Sequence, residues 1–370
     1  MTSGRVKSLV VAIFSLFLIS ITGTVSAQEN HNSADQGQVH DANAVNEQKE
    51  EKPLFDANEV IFGHILDAHE FHFLTYKGSD GHDTHLSIPL PVLLYSPQKG
   101  ISFFNYSKFH HGEHEVDGYK LVDHHIVPVD PSVTVYDISL TRNVVQMLLA
   151  MFLLMYIMIS VGRKYKNGQG VKTAPKGLQS FLEPVVTFVR DEVAKPNLGH
   201  KYEKFLPFIL TIFFFILINN IFGLIPGSAN VTGNIAFTMV LAAITFLVII
   251  FSSNKHFWGH IFWPPVPHGI KPILIIVELL GVFTKPFALM IRLFANMMAG
   301  HIIIICLISL IFIFGALSPV IGWSFSPISI AFSTFIYLIE ILVAFIQAFI
   351  FANLTAVFIG QAFEGEHADH

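Results

Sequence analysis

One cysteine, Cys306, is the entire thiol content of a 370-residue chain, and it lies in an apolar run. An intramolecular disulfide framework is therefore excluded, and so are zinc sites built on cysteine clusters. Charge is scarce as well: 13% of residues are charged, where an ordinary soluble domain carries about 25%. With 52% hydrophobic residues and a mean hydropathy of +0.56, this argues against a soluble enzyme. There is no P-loop, so any nucleotide is bound by other chains. No HExxH or comparable ligand spacing is present. No cofactor and no nucleic-acid partner is expected.

What charge there is divides unevenly. Residues 28–141 carry 18 acids and 6 Lys or Arg, whereas residues 142–370 carry 9 acids and 14 Lys or Arg. An acidic first part and a basic, apolar second part imply two environments. At the start, Arg5 and Lys7 precede the apolar stretch Leu9–Ile21, and Val25-Ser26-Ala27 supplies small residues. This reads as a secretory signal peptide over 1–27, cut after Ala27. Residues 28–52 are polar, acidic and poor in aromatics, the composition of a disordered linker. Residues 53–137 hold Phe71–Tyr76, Leu86–Tyr95, Ile101–Tyr106 and Tyr119–Val129, separated by Ser79-Asp80-Gly81, Pro97-Gln98-Lys99-Gly100 and Asp117-Gly118. Short β-branched and aromatic runs between turn residues predict a small β-rich external module. Ten of the 19 histidines fall in it. Histidine is a common metal ligand, but a solvated, His-rich surface explains them more simply.

From 138 onward the chain reads as an all-α polytopic membrane domain with five spans, at about 144–161, 205–224, 235–251, 272–317 and 328–360. Each is long enough to cross about 30 Å of hydrocarbon. Arg163, Lys164, Lys166, Lys172 and Lys176 follow the first span, which places that loop in the cytoplasm. The loop Ile225–Asn234 has no Lys or Arg, as expected outside. The C-terminus then falls in the cytoplasm. Residues 177–193 repeat apolar positions at helical spacing, with Arg190, Asp191 and Glu192 among them. They predict an amphipathic helix, lying on the membrane face or packed on a partner. The last two spans exceed what an upright helix needs, so they tilt or bend, with Pro286 as a bend point. Residues 315–327, with Pro319 and Gly322, are expected to turn one into the other.

Between Phe205 and Phe363 only six residues are charged. Lys255 and Lys271 sit in or beside a loop; Glu278, Lys285, Arg292 and Glu340 lie inside apolar helices. An Arg at a helix centre costs roughly 2.5–3.5 kcal/mol even on a lenient scale, and such residues mark ion paths. At about 100° per residue, Glu278, Lys285, Arg292 and Asn296 share a face, and His301 falls opposite Arg292. Glu340 and Gln347 share a face of the last helix. Together they offer a fixed cation, titratable groups and amides within lipid.

The run Lys285-Pro-Phe-Ala-Leu-Met-Ile-Arg292-Leu-Phe-Ala-Asn296-Met-Met-Ala-Gly300-His301 resembles the signature helix of the subunit a family of F-type ATP synthases. Glu340-Ile-Leu-Val-Ala-Phe-Ile-Gln347-Ala-Phe-Ile-Phe resembles that family's final helix. Asn220 to Pro226 and Ser228-Ala-Asn230-Val-Thr-Gly-Asn234 resemble its second span and the loop after it. The likeness covers roughly residues 140–365. It implies a stator in the bacterial inner membrane, with two long tilted helices against a rotating c-ring, peripheral stalk (b) subunits as further partners, and lipid around the rest. It implies that Arg292 attracts each ring carboxylate and separates two proton half-channels. Glu340 and His301 match a channel pair, here with the acid and the histidine exchanged relative to many bacterial members. Asn296 and Gln347 match polar positions beside the arginine, and Glu278 an acid linked with the other half-channel. Gly223 and Ala288 depart from the family, replacing an acid and a hydroxyl residue found in some members. The default ion is H⁺.

Rival readings fare worse. His301 is the only histidine well inside a span, so a bis-His haem site within this chain fails. A stand-alone ion-coupled transporter would often carry an internal repeat, and none is found. A bare membrane anchor has no use for Arg292 or Glu340. Deleting residues 30–50 is expected to leave ATP-driven proton pumping intact; loss of pumping with assembly normal would contradict the linker assignment.

Overall fold

The computed structural model describes residues 67–363, apart from 78–82, 113, 123–124, 131, 171–172, 226 and 264–268. The expected signal peptide, the 28–52 linker, the Ser79-Asp80-Gly81 turn and the acidic C-terminal residues lie outside the described residues.

The first elements are seven short strands: β1 (Glu70–Lys77), β2 (Asp83–Pro89), β3 (Pro91–Ser96), β4 (Gly100–Asn105), β5 (Tyr119–Val122), β6 (His125–Pro128) and β7 (Tyr136–Asp137). β1 and β2 form one antiparallel pair, β5 and β6 another, and β3 lies between β4 and β7. The run Leu86–Tyr95 is divided between two strands in different sheets. Pro89 and Pro91 flank Leu90, and proline has no N–H to give a ladder. Tyr119–Val129 likewise divides into the β5–β6 hairpin. Asp117 and Gly118 both have positive φ, 52° and 78°, the backbone of a two-residue hairpin turn, which closes a bridge between Val116 and Tyr119. Val92, Leu94, Phe104, Tyr106, Phe109, Tyr119 and Ile126 pack as a core of their own. Among the described residues, no cluster of three or more His, Cys, Asp or Glu is assembled that could hold a metal ion.

The rest is helical. α1 is Arg142–Lys166; α2 is Leu178–Phe188, followed by a wider turn at Val189–Ala194 and α3 (Lys195–Leu198); α4 is Tyr202–Gly223, α5 Ile235–Ser252, α6 Lys255–Phe262, α7 Lys271–Leu317 and α8 Pro319–Ala362. Five helical stretches are long and apolar enough to cross a membrane, which makes the chain a polytopic membrane protein. Two boundaries differ from the sequence reading. α1 continues to Lys166, because Lys and Arg stems extend a helix along the apolar surface while their heads reach water. The expected 315–327 turn is only Ser318, since Pro319 takes the first turn of α8, where its missing N–H costs nothing.

α7 has 47 residues and α8 has 44. At 1.5 Å per residue they are about 70 Å and 66 Å long. Neither fits upright within about 30 Å of hydrocarbon. α7 runs past Pro286 without interruption. The two helices form a tight hairpin and pack on each other. At its bend a Cβ on Gly322 would stand 2.7 Å from Gly315 Cα, a backbone approach that only glycine permits.

α8 also packs on α4. Ala344, Ala348, Ala352 and Ala356, spaced four apart, are all fully buried. Small residues on one helical stripe let neighbouring backbones close up. The apolar stripe of α2 and the wider turn after it is divided: Leu182, Val189 and Val193 enter the core, whereas Leu178, Phe181 and Phe188 stay exposed.

Gln146 is the polar anchor of α1. It is buried, its Nε2 donates to the Ala229 carbonyl, and its Oε1 accepts from Ala229 N at 2.8 Å. Both backbone groups of Ala229, in the α4–α5 loop, are thereby satisfied. Gln146→Leu would strand both, at about 1–3 kcal/mol each. The variant is expected to lose thermal stability in detergent; an unchanged melting temperature would contradict the clamp.

Candidate functional site

The site grows from the α7–α8 hairpin. Leu289, Leu293 and Met297 of α7 are buried against the rest of the chain. The opposite side carries Ala288, Arg292, Ala295, Asn296 and Ala299, all exposed. A helix turning about 100° per residue must present Arg292 outward once the leucines face in. The residues beside it on this face include three alanines, whose short side chains leave the guanidinium exposed. No carboxylate pairs with Arg292 among the described residues.

The two amides meet. Asn296 Nδ2 donates to Gln347 Oε1 at 2.9 Å, linking α7 to α8 one turn from Arg292. Gln347 is buried and Asn296 exposed, so the pair runs from the interior to the arginine face. Glu340, two turns away from Gln347 on α8, is also buried. It lies directly on Gly300: a Cβ there would come within 1.9 Å of Glu340 Oε1. Gly300 is therefore required by the carboxylate, not by backbone conformation. His301 follows Gly300 and is partly buried.

α4 fixes the height of this arrangement. Asn220 Nδ2 donates to the Ala344 carbonyl at 3.1 Å, midway between Glu340 and Gln347 on α8. Tyr337 OH donates to the Leu224 carbonyl at 3.2 Å. The Oδ1 atoms of Asn219 and Asn220 are buried and have no partner among the described residues, which makes the α4 wall polar in an apolar helix. The α4–α5 loop adds Asn230, whose Nδ2 donates to the Met297 carbonyl at 3.1 Å. Asn234 caps α5 through Ala236 N at 2.9 Å.

His301 opens onto a cavity of about 230 Å³ lined also by Asp67, Asn230, Asn234, Phe294 and Met298. Arg292 lies on the other side of α7. The remaining predicted residue stands apart. Glu278 is 14 positions before Arg292 on the same helix, about 21 Å along its axis. Lys285, between them, donates to Gln361 Oε1 at 2.9 Å near the end of α8. The sequence-predicted residues thus fall into an exposed arginine face, an interior group in which Glu340 lies on Gly300 and His301, next in the chain, faces a cavity, and a distant Glu278.

Sequence reasoning gave no role to Asn219 or to Asp67. The first had a signal, an amide pair within Phe-Phe-Phe-Ile-Leu-Ile-Asn-Asn. The second had none, because its neighbours in space come from segments far along the chain.

Comparisons agree with this architecture. Residues 144–360 match the ATP synthase A chain family, and residues 60–146 match a domain of unknown function (DUF8433). The chain is 50% identical over 239 residues to ATP synthase subunit a of Chloroherpeton thalassium, covering 64% of this chain and 69% of that one. It is 45% identical over 236 residues to ATP synthase subunit a 2 of Chlorobaculum tepidum, with 61% and 64% covered. It is 44% identical over 240 residues to ATP synthase subunit a of Chlorobium phaeobacteroides strain DSM 266 / SMG 266 / 2430, with 64% and 68% covered. With the family match spanning more than half of the chain, this protein belongs to the ATP synthase A chain family, subunit a of F-type ATP synthases.

Proposed function

We propose that this chain is the stator of the synthase membrane sector, conducting protons through two half-channels to and from a rotating c-ring. Proton flow is thereby coupled to ATP synthesis or hydrolysis in a separate head. The observation that carries this reading is Arg292: an exposed guanidinium on an apolar helix, ringed by alanines, with no carboxylate beside it among the described residues. In hydrocarbon such a charge demands an anion. A ring carboxylate passing over α7 satisfies it in turn with each step. Arginine keeps its charge, so it holds a carboxylate anionic without relaying a proton. Protons cannot pass straight across and must ride the ring.

The interior group then serves one half-channel. Protons move between the cavity at His301, the Glu340 carboxylate and the ring, with Asn296 and Gln347 lining the approach to Arg292. Glu278 serves the other half-channel, toward the far end of α7. The supporting separation is the 14-residue interval on α7. The chain itself performs no bond-making chemistry on nucleotide and carries no cofactor in this reading.

Orientation follows from charge. The basic stretch after α1 lies in the cytoplasm, and the strand-rich residues before it lie in the periplasm of an inner-membrane protein. α2 lies along the cytoplasmic membrane surface with Leu178, Phe181 and Phe188 toward lipid, where the b subunits of the peripheral stalk also approach.

Two substitutions test this. Arg292→Ala should abolish ATP-driven acidification of inverted vesicles while ATP hydrolysis by the membrane-bound head persists and the chain remains present. Unchanged pumping would return the chain to the class of stand-alone transporters. Gly300→Ala should lower pumping by displacing Glu340, and adding Glu340→Asp, one methylene shorter, should recover part of it. Full activity of Gly300→Ala alone would contradict the close packing of Glu340.

A further inference from the structure

The segment before α1 reaches the proton path. Asp67 lies outside residues 144–360, the part that matches the subunit a family, yet it lines the same cavity as His301, Asn230 and Asn234. Its position is fixed by the backbone. Asp67 Oδ1 accepts from Ala68 N at 3.0 Å and from Asn143 N at 3.3 Å in the first turn of α1. Arg142 N donates to the Ala68 carbonyl at 3.0 Å. The carboxylate thus caps α1 from 76 positions upstream, a task that Thr141 at the N-cap position does not perform with its side chain.

The cavity walls contributed by the membrane helices and the α4–α5 loop hold amides and one imidazole but no carboxylate. Among the described residues, the one carboxylate lining this cavity comes from the N-terminal segment.

We propose that Asp67 is a proton-relay residue at the outer mouth of the half-channel, passing protons between external water and His301. The proposal rests on the half-channel reading above. For inward flow, a proton from external water protonates the Asp67 carboxylate at Oδ2. It leaves along cavity water to His301, and Asp67 returns to the anion. Each transfer breaks one O–H or N–H bond and forms another, so no co-reactant is required. The role also gives the strand-rich segment a purpose: docking on α1 holds the carboxylate at the cavity.

Capping and relay are separable, because asparagine caps helices as well as aspartate does. Asp67→Asn keeps an Oδ1 acceptor for Asn143 and Ala68 but carries no proton. The measurement is ATP synthesis by vesicles holding the whole complex, driven by an imposed proton gradient, with the amount of assembled chain determined in parallel. Asp67→Asn should slow synthesis several-fold at an unchanged amount of chain, and Asp67→Glu should restore it. Wild-type rates in Asp67→Asn would overturn the proposal and leave Asp67 a cap. Loss in Asp67→Glu with Asp67→Asn unaffected would overturn it too, since a purely steric or capping role tolerates the isosteric amide and not the longer acid. Glu340→Gln in the same assay separates the two readings. If it blocks synthesis and Asp67→Asn does not, only the relay falls; if it leaves synthesis intact, the half-channel reading fails by itself.

Discussion

A guanidinium cannot rest in hydrocarbon without an anion, and the chain's design depends on where that anion comes from. Arg292 is placed by the burial of its neighbours. Leu289, Leu293 and Met297 bind α7 to the other helices, and the arginine is forced to the far side. Among the described residues, no carboxylate of the chain itself pairs with it there. The most apolar stretch of α7 is only 11% buried within the chain, so most of it awaits lipid or a partner. An intramolecular carboxylate would have neutralised Arg292 permanently. Leaving it open makes a site that an outside carboxylate can occupy and vacate.

Polar groups elsewhere in the membrane domain are handled in the opposite way. Gln146 satisfies both backbone groups of Ala229, Asn220 reaches the carbonyl of Ala344, and Asn230 reaches that of Met297. Each of these bonds ties a different helix or loop to the α7–α8 hairpin or to the loop beside it. In a low-dielectric interior such bonds are costly to leave unmade, so they fix the helices at defined heights. The alanine stripe on α8 then lets α4 close against the same helix. The outcome is a rigid frame around Glu340, whose carboxylate lies on the bare backbone of Gly300.

Much of the membrane domain was legible in the sequence, because apolar length and the rarity of charge are both direct consequences of a hydrocarbon solvent. The five spans and the isolated charges within them followed from that. Boundaries were less legible. Pro319 read as a loop residue, yet proline in the first turn of a helix loses no hydrogen bond, and α8 starts there. Helical periodicity put Arg292 and His301 on opposite sides of α7, and it put Glu340 and Gln347 on one side of α8. It could not pair residues on different helices, so the Asn296–Gln347 bond and the contact of Glu340 with Gly300 needed the tertiary structure. Asp67 was out of reach altogether, since its role as a cap depends on a docking contact 76 positions along the chain.

The central claim is that the Arg292 charge is the barrier between two half-channels. The most direct test is the passive proton permeability of vesicles stripped of the catalytic head, with the ring prevented from turning. With the native chain such membranes should hold a proton gradient, because Arg292 blocks any path that does not ride the ring. With Arg292→Ala they should leak despite the stationary ring. Membranes as tight as the native ones, with the variant chain present in equal amount, would contradict the account.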